Sequence, residues 1–269
     1  MTRLSAIFAL ILSLLLPSLV WAGSEQATGA PVRSIETVKT FTDSIQRQLA
    51  KRGANVAIVA RSGRAASSLP EGIRYTHVAY WVYSEMTRAD GSTYTGYRVY
   101  NLYQQGEDGR SSALVQDNPE DFFAAAYTLD AGIIIPDIRL QKKLLKTIAS
   151  PTYEYLHNDN YAVLANPKTS TFQNCTEHTL DVLMASLYDT RDKARIKANI
   201  AAYFDPQPVE VSGMKRLLAP AAAPALTTVD HGGKVATATF GSIARFMREN
   251  ALDAHIYRHT ARGLKGYPI

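Results

Sequence analysis

Cys175 is the only cysteine in a chain of 269 residues, and it stands where a thiol can be put to chemical use. The run FQNCTEHTLDVL (172–183) places it directly after the polar pair Gln173 and Asn174 and at the start of a helical pattern. The unpaired N–H groups and the dipole of a helix start favour negative charge there, which lowers a thiol's pKa. A thiolate nucleophile also needs an imidazole to take its proton and a third group to hold that imidazole. His178 is one turn along the same helix, but both side chains lean the same way, a poor arrangement for proton transfer. His77, in GIRYTHVAYWVY (72–83), begins a strand-like run, and a histidine there can face a helix N-terminus packed on the sheet. The bland alternatives are a cysteine that is only a small core residue and a histidine that is only a satisfied strand residue. Metal binding is the weakest chemistry: zinc asks for three or four ligands, and Cys175 with His178 finds no third at a usual spacing. No cofactor and no metal are therefore expected.

The elements that must position these residues follow from periodicity. Ser34 caps a helix to about residue 52, with Ile35, Val38, Phe41, Ile45 and Leu49 on one stripe and Gly53 ending it. Residues 55–60 form a short apolar strand. Residues 74–86 and 93–105 alternate and are rich in Tyr, Trp and Val, and Asp90-Gly91 between them signals a hairpin. A helix is expected over 119–128, a strand over 133–135, and a helix from Asp137 to about 149 with Ile138, Leu144, Leu145 and Ile148 inward. The Cys175 helix presents Leu180, Leu183, Leu187 and Tyr188. A helix over 191–204, a Pro/Ala-rich hinge or loop over 219–226, a strand over 235–239 and a helix over 242–250 complete the pattern. This order reads as α+β rather than a doubly wound sheet.

Residues 1–22 read as a secretory signal peptide. A basic start precedes an apolar run over 4–16 that is too short to span a membrane, and Val20-Trp21-Ala22 puts small residues at a cleavage site. Residues 23–33 then read as a flexible leader, 34–252 as a single domain and 253–269 as a basic tail. The implied location is periplasmic or secreted, with no stable membrane anchor. A lone cysteine in an oxidising compartment has no internal disulfide partner. A net charge of +5 is mild over this length, and no arginine-rich stripe argues for nucleic acid.

RYTHVAYWVY followed about a hundred residues later by FQNCTEHTLDVL resembles the circularly permuted branch of the papain-like, NlpC-like superfamily. NCTEH is also similar to the Asn-Cys-Glu-His element of lecithin retinol acyltransferase relatives, with Thr176 inserted. YRVYNLYQ (97–104), NPEDFFAAA (118–126), FQNC and DHGGKVATATFGSIARFM (230–247) are similar to the bacterial domain-of-unknown-function family numbered 2145, over roughly 56–247. The resemblance implies a permuted papain-like fold, with an antiparallel sheet packed against the helix that starts at the cysteine. It also implies a cysteine hydrolase or acyltransferase with Cys175 as nucleophile and His77 as base. A cell-wall peptide or a lipid acyl group is then the expected substrate, and a catalytically inactive envelope binding module of the same fold is the alternative.

The third group should lie on the neighbouring strand. A three-residue loop centred on Asp90 puts Asn101 on the face of His77, whereas a two-residue Asp-Gly turn puts Gln104 there, because a one-residue slip flips every side chain. Both stay open, with Asn101 preferred as a polar residue between Tyr100 and Leu102. Oxyanion stabilisation would come from the Cys175 backbone N–H, with Gln173 as a helper and Asn174 as a further candidate. Glu177 reads as a complement to the helix dipole.

Overall fold

Helix starts in this chain are set by short polar side chains that accept from the first free backbone N–H groups. Ser34 accepts from Thr37, Asn118 from Asp121, Asp137 from Leu140 and Asn174 from Glu177. The computed structural model describes residues 33–88 and 90–267. The expected signal peptide, and all of the expected leader except Arg33, fall outside the described residues. The elements are α1 (Ile35–Lys51), β1 (Val56–Arg61), β2 (His77–Thr87), β3 (Thr93–Gln105), β4 (Ser111–Asp117), α2 (Pro119–Ala124), β5 (Asp130–Ile135), α3 (Ile138–Ile148) and α4 (Thr152–Tyr155). They continue with α5 (Cys175–Tyr188), α6 (Lys193–Tyr203), β6 (Gln207–Pro208), α7 (Gly213–Ala222), β7 (Ala236–Thr237), α8 (Phe240–Glu249), β8 (His255–Thr260) and β9 (Gly263–Gly266).

Seven strands form one sheet in the order β4-β3-β2-β1-β5-β8-β9, and every neighbouring pair is antiparallel. The class is α+β. Side chains alternate across a strand, so each strand serves two cores. One face carries Val59, Ala79, Trp81, Val99 and Ile133 under α1 and α2. The other carries Ile58, Val78, Tyr80, Val82 and Ile134 under α3, α5, α6 and α8. Central β1 is buried along its whole length, which explains its apolar run from Val56 to Ala60 before the buried Arg61.

The hairpin register answers one question that the sequence left open. Thr87 pairs with Thr93, and Arg88 N–H donates to the Ser92 carbonyl. Asp90 therefore sits at the loop centre, with its carboxylate accepting from Ser92 N–H and Gly91 at φ +83°. That is the register that puts Asn101 with His77.

Four expectations are corrected. Residues 253–267 are not a tail apart from the domain, because β8 pairs with β5 over six residues and β9 pairs with β8. His255, Arg258 and His259 hide this strand from an apolar-pattern reading. Residues 219–222 end α7: Pro220, which has no N–H to donate to the Arg216 carbonyl, falls in the last turn, and the helix stops two residues later. Ile138 faces out and is 52% exposed, since it is the first residue of its helix. Helix α5 has no single apolar face: all of 175–186 is buried.

Candidate active site

Cys175 is the first residue of α5, and the Asn174 cap fixes that start. Its sulfur is 3.8 Å from the Thr76 carbonyl oxygen and 3.8 Å from the Thr176 hydroxyl. The Val78 backbone N–H is also directed at it. These groups face the sulfur because the sheet forks here. The β2–β3 ladder runs from Thr87 opposite Thr93 only as far as Tyr80 opposite Tyr100. Beyond that point β2 continues along β1, and β3 along β4. The sulfur occupies the fork, packed with Leu102, Tyr161 and Ala225. Burial pushes the thiol pKa up, against the pull of the Val78 N–H and the Thr176 hydroxyl.

His77 is fully buried, and its ring stacks on Tyr103 at 5.0 Å, with Phe122 at 5.2 Å. Its Nε2 lies 2.9 Å from Asn101 Oδ1. The orientation of that amide is fixed from behind, since Asn101 Nδ2 donates to Asp117 Oδ2 at 3.2 Å and Tyr103 donates to the same oxygen at 2.6 Å. An amide oxygen only accepts, so Nε2 carries the proton and Nδ1 is the basic nitrogen. Nδ1 is buried and has no hydrogen-bond partner. Burial first, and the Arg61 guanidinium second, hold the imidazole well below its usual pKa, with Asn101 opposing them. The ring is neutral at pH 7.

His77 and Asn101 are thus brought together, whereas His77 does not face helix α5. The strand alternation that puts Val78 and Tyr80 under α5 puts His77, like Ala79 and Trp81, on the α1 and α2 side. Cys175 and His77 meet around one backbone segment, 76–78, with the thiol at its edge and the ring on its far face. No hydrogen bond joins Nδ1 to the sulfur.

The remaining candidates have other work. The Gln173 amide donates to the Leu156 carbonyl and to Asp181, and accepts from Asn158 N–H, so it has no donor left for an oxyanion. Asn174 caps α5, and its NH₂ donates to the Val163 carbonyl and Thr237. Gln104 donates to the Gly109 carbonyl within its own hairpin. His178 lies against Tyr153 at 4.8 Å with both ring nitrogens unpartnered, and burial lowers its pKa to about 3. Glu177 does more than complement a dipole: it faces Lys197 Nζ at 2.6 Å, with Asp181 at 2.8 Å from the same ammonium. Burial opposes the Lys197 charge, but the two carboxylates outweigh it and raise the pKa, while burial pushes Glu177 up.

Sequence reasoning passed over Asp117, Tyr103 and Arg61. Only the β3–β4 register, which pairs Val99 with Asp117, brings the carboxylate behind Asn101. Cys175 also forms part of the wall of a mainly apolar cleft of about 230 Å³, with Leu69, Ile73, Tyr161, Val163 and Leu226 around it. Among the described residues no group of three or more His, Cys, Asp or Glu is placed to hold a metal ion. No helix among them is long and apolar enough to cross a membrane.

A family model described as an uncharacterized protein conserved in bacteria (DUF2145) matches residues 48–247. That span holds Cys175, His77, Asn101 and Asp117. No curated protein and no solved structure matches the chain.

Proposed function

We propose, on the premise that this chain belongs to the DUF2145 family of bacterial proteins, that it is a thiol-dependent acyl hydrolase or acyltransferase of permuted papain-like type. The observation that carries the reading is the His77–Asn101 contact, which leaves Nδ1 as a base beside the backbone segment that holds the Cys175 sulfur. The thiol proton now points to the Thr76 carbonyl. To react, segment 76–78 must first shift so that the ring comes round to the sulfur; the thiol then turns from the Thr76 carbonyl to Nδ1, which takes the proton. The sulfur then bonds to the carbonyl carbon of an ester or amide, and its electron pair moves to oxygen beside the Cys175 backbone N–H. Collapse expels the alcohol or amine, which takes the proton from Nδ1. Water or an acceptor nucleophile later releases the acyl group from the thioester. Because burial raises the thiol and lowers the imidazole, the resting pair is neutral, and the base acts during attack. The same proposal places the protein outside the cytoplasm after cleavage behind Ala22, acting on a cell-wall peptide or a lipid acyl group.

The test is intact-mass measurement after exposure to p-nitrophenyl octanoate. An octanoyl adduct on Cys175 is expected in the wild type, absent in Cys175→Ala and formed much more slowly in His77→Ala. A wild-type protein that never acquires the adduct, or acquires it equally without His77, overturns the reading. One observation favours a second reading, a non-catalytic binding module: no hydrogen bond links the buried thiol to the imidazole. A thiol that stays inert to iodoacetamide at every pH where the protein is folded supports that alternative.

A further inference from the structure

The apolar cleft beside Cys175 does not end at its apolar wall. Arg64 and Tyr75 line it and also line a second cleft of about 480 Å³, so the two adjoin across these side chains. The second cleft has the opposite character. Arg64, Arg74, Arg258, Arg262 and Lys265 all line it, against one carboxylate, Asp130. Arg258 holds that carboxylate at 2.7 Å, while Arg74 is at 3.9 Å. Among the described residues, Arg64, Arg262 and Lys265 have no ion-pair partner, and Arg262 and Lys265 are exposed. Like charges gathered without counter-charge cost stability, and a cleft of one sign concentrates ligands of the other. Arginine forks in particular match phosphate oxygens.

We propose that the adjoining clefts bind one amphiphile, with its acyl chain in the apolar cleft at Cys175 and a phosphate-bearing head group among Arg64, Arg262 and Lys265. This rests on the reading of the Cys175 cleft as an acyl site and narrows its substrate class to phosphate-bearing acyl compounds. Tyr75 is the pivot between the two. Its ring packs edge-on against Phe240 at 5.2 Å, and its hydroxyl donates to Asp130 at 3.1 Å. It thus offers a rigid apolar side to the chain and a polar end to the head.

Calorimetric titration of the full chain carrying Cys175→Ala tests this without any catalysis. Octyl phosphate is the probe, with 1-octanol and inorganic phosphate as its separate halves. Octyl phosphate is expected to bind at least tenfold more tightly than either half. Combined Arg262→Gln and Lys265→Gln should remove most of that advantage and leave octanol binding unchanged. Leu69→Asp should weaken octanol and octyl phosphate but not inorganic phosphate. If octyl phosphate binds no better than octanol, the basic cleft takes no part and the proposal fails. If it binds no better than inorganic phosphate, the two clefts are not one site, and it fails equally. Binding only to vesicles of phosphate-bearing lipid, and not to monomeric octyl phosphate, would assign the basic face to a membrane surface and overturn it. Failure of the catalytic reading is separable: Cys175 would never be acylated, while octyl phosphate still bound as described.

Discussion

Asn101 Oδ1 lies 2.9 Å from His77 Nε2, and Asp117 behind it holds the amide so that only its oxygen faces the ring. That relay from carboxylate to amide to imidazole decides which ring nitrogen is a base. Asn101→Ala should leave the fold intact, costing about 1–3 kcal/mol because the buried hydrogen bonds to His77 and Asp117 are both lost, and should slow iodoacetamide labelling of Cys175. Asp117→Ala should slow it as well, because the amide is then free to turn. Gln104→Ala, whose partner is the Gly109 carbonyl, should label at the wild-type rate. Equal rates in all three would mean that the relay does not reach the thiol.

His77 and His178 are buried as neutral rings, both with lowered pKa, His178 to about 3. In the unfolded chain each takes up a proton near the ordinary histidine value of 6.5, and in the folded chain it does not. The stability they support is present above that value and declines as pH falls below it. The slope is about 1.4 kcal/mol per pH unit for each ring. Urea midpoints from pH 7 to 4 should show the decline. His178→Phe keeps the edge-on contact with Tyr153 and should roughly halve the part that these two rings cause.

The Lys197 ammonium balances two carboxyls inside the protein. Lys197→Met leaves Glu177 and Asp181 buried without a cation, and loss of one partner from a buried pair costs about 3–5 kcal/mol. Adding Glu177→Gln and Asp181→Asn should recover much of that loss, which urea unfolding of the single and triple variants would reveal. A single variant as stable as wild type would show that the cluster is open to solvent.

A Cβ at Gly132 would come within 2.6 Å of the Tyr75 ring and 2.7 Å of Phe240. Gly132→Ala should therefore destabilise by about 1–3 kcal/mol through overpacking. It should also move Tyr75, the side chain shared by the two clefts. A thermal melt indistinguishable from wild type would show that these rings yield without cost.

Much of this was legible in sequence wherever a local rule decides. Ser34, Asp137 and the residue before Cys175 mark helix starts, Asp90-Gly91 marks the hairpin, and the polar side chain between Tyr100 and Leu102 favours Asn101 over Gln104. What stayed hidden depends on long-range register or on which way a side chain turns once packed. Gln173 looks like a free amide in sequence, yet Leu156, Asn158 and Asp181 use all of it. Strand parity could have warned that His77 shares a face with Trp81, but which face α5 would cover is a tertiary fact. Asp117 acquires its role only when β4 pairs with β3. Residues 255–260 carry too few apolar side chains to announce a strand, and they become one because β5 has an edge to fill.

That edge bears on how the protein is made. Ile133 and Ile134 stand at the middle of the sheet only because Tyr257 and Ile256, more than a hundred residues later, lie beside them. A chain emerging from the ribosome holds β1 to β5 long before β8 exists, and β5 then offers an open row of amides to any neighbouring strand. The sheet cannot close until β8 has been made. Until then the amides of β5 are the place where two copies of the chain would pair with each other instead of with β8.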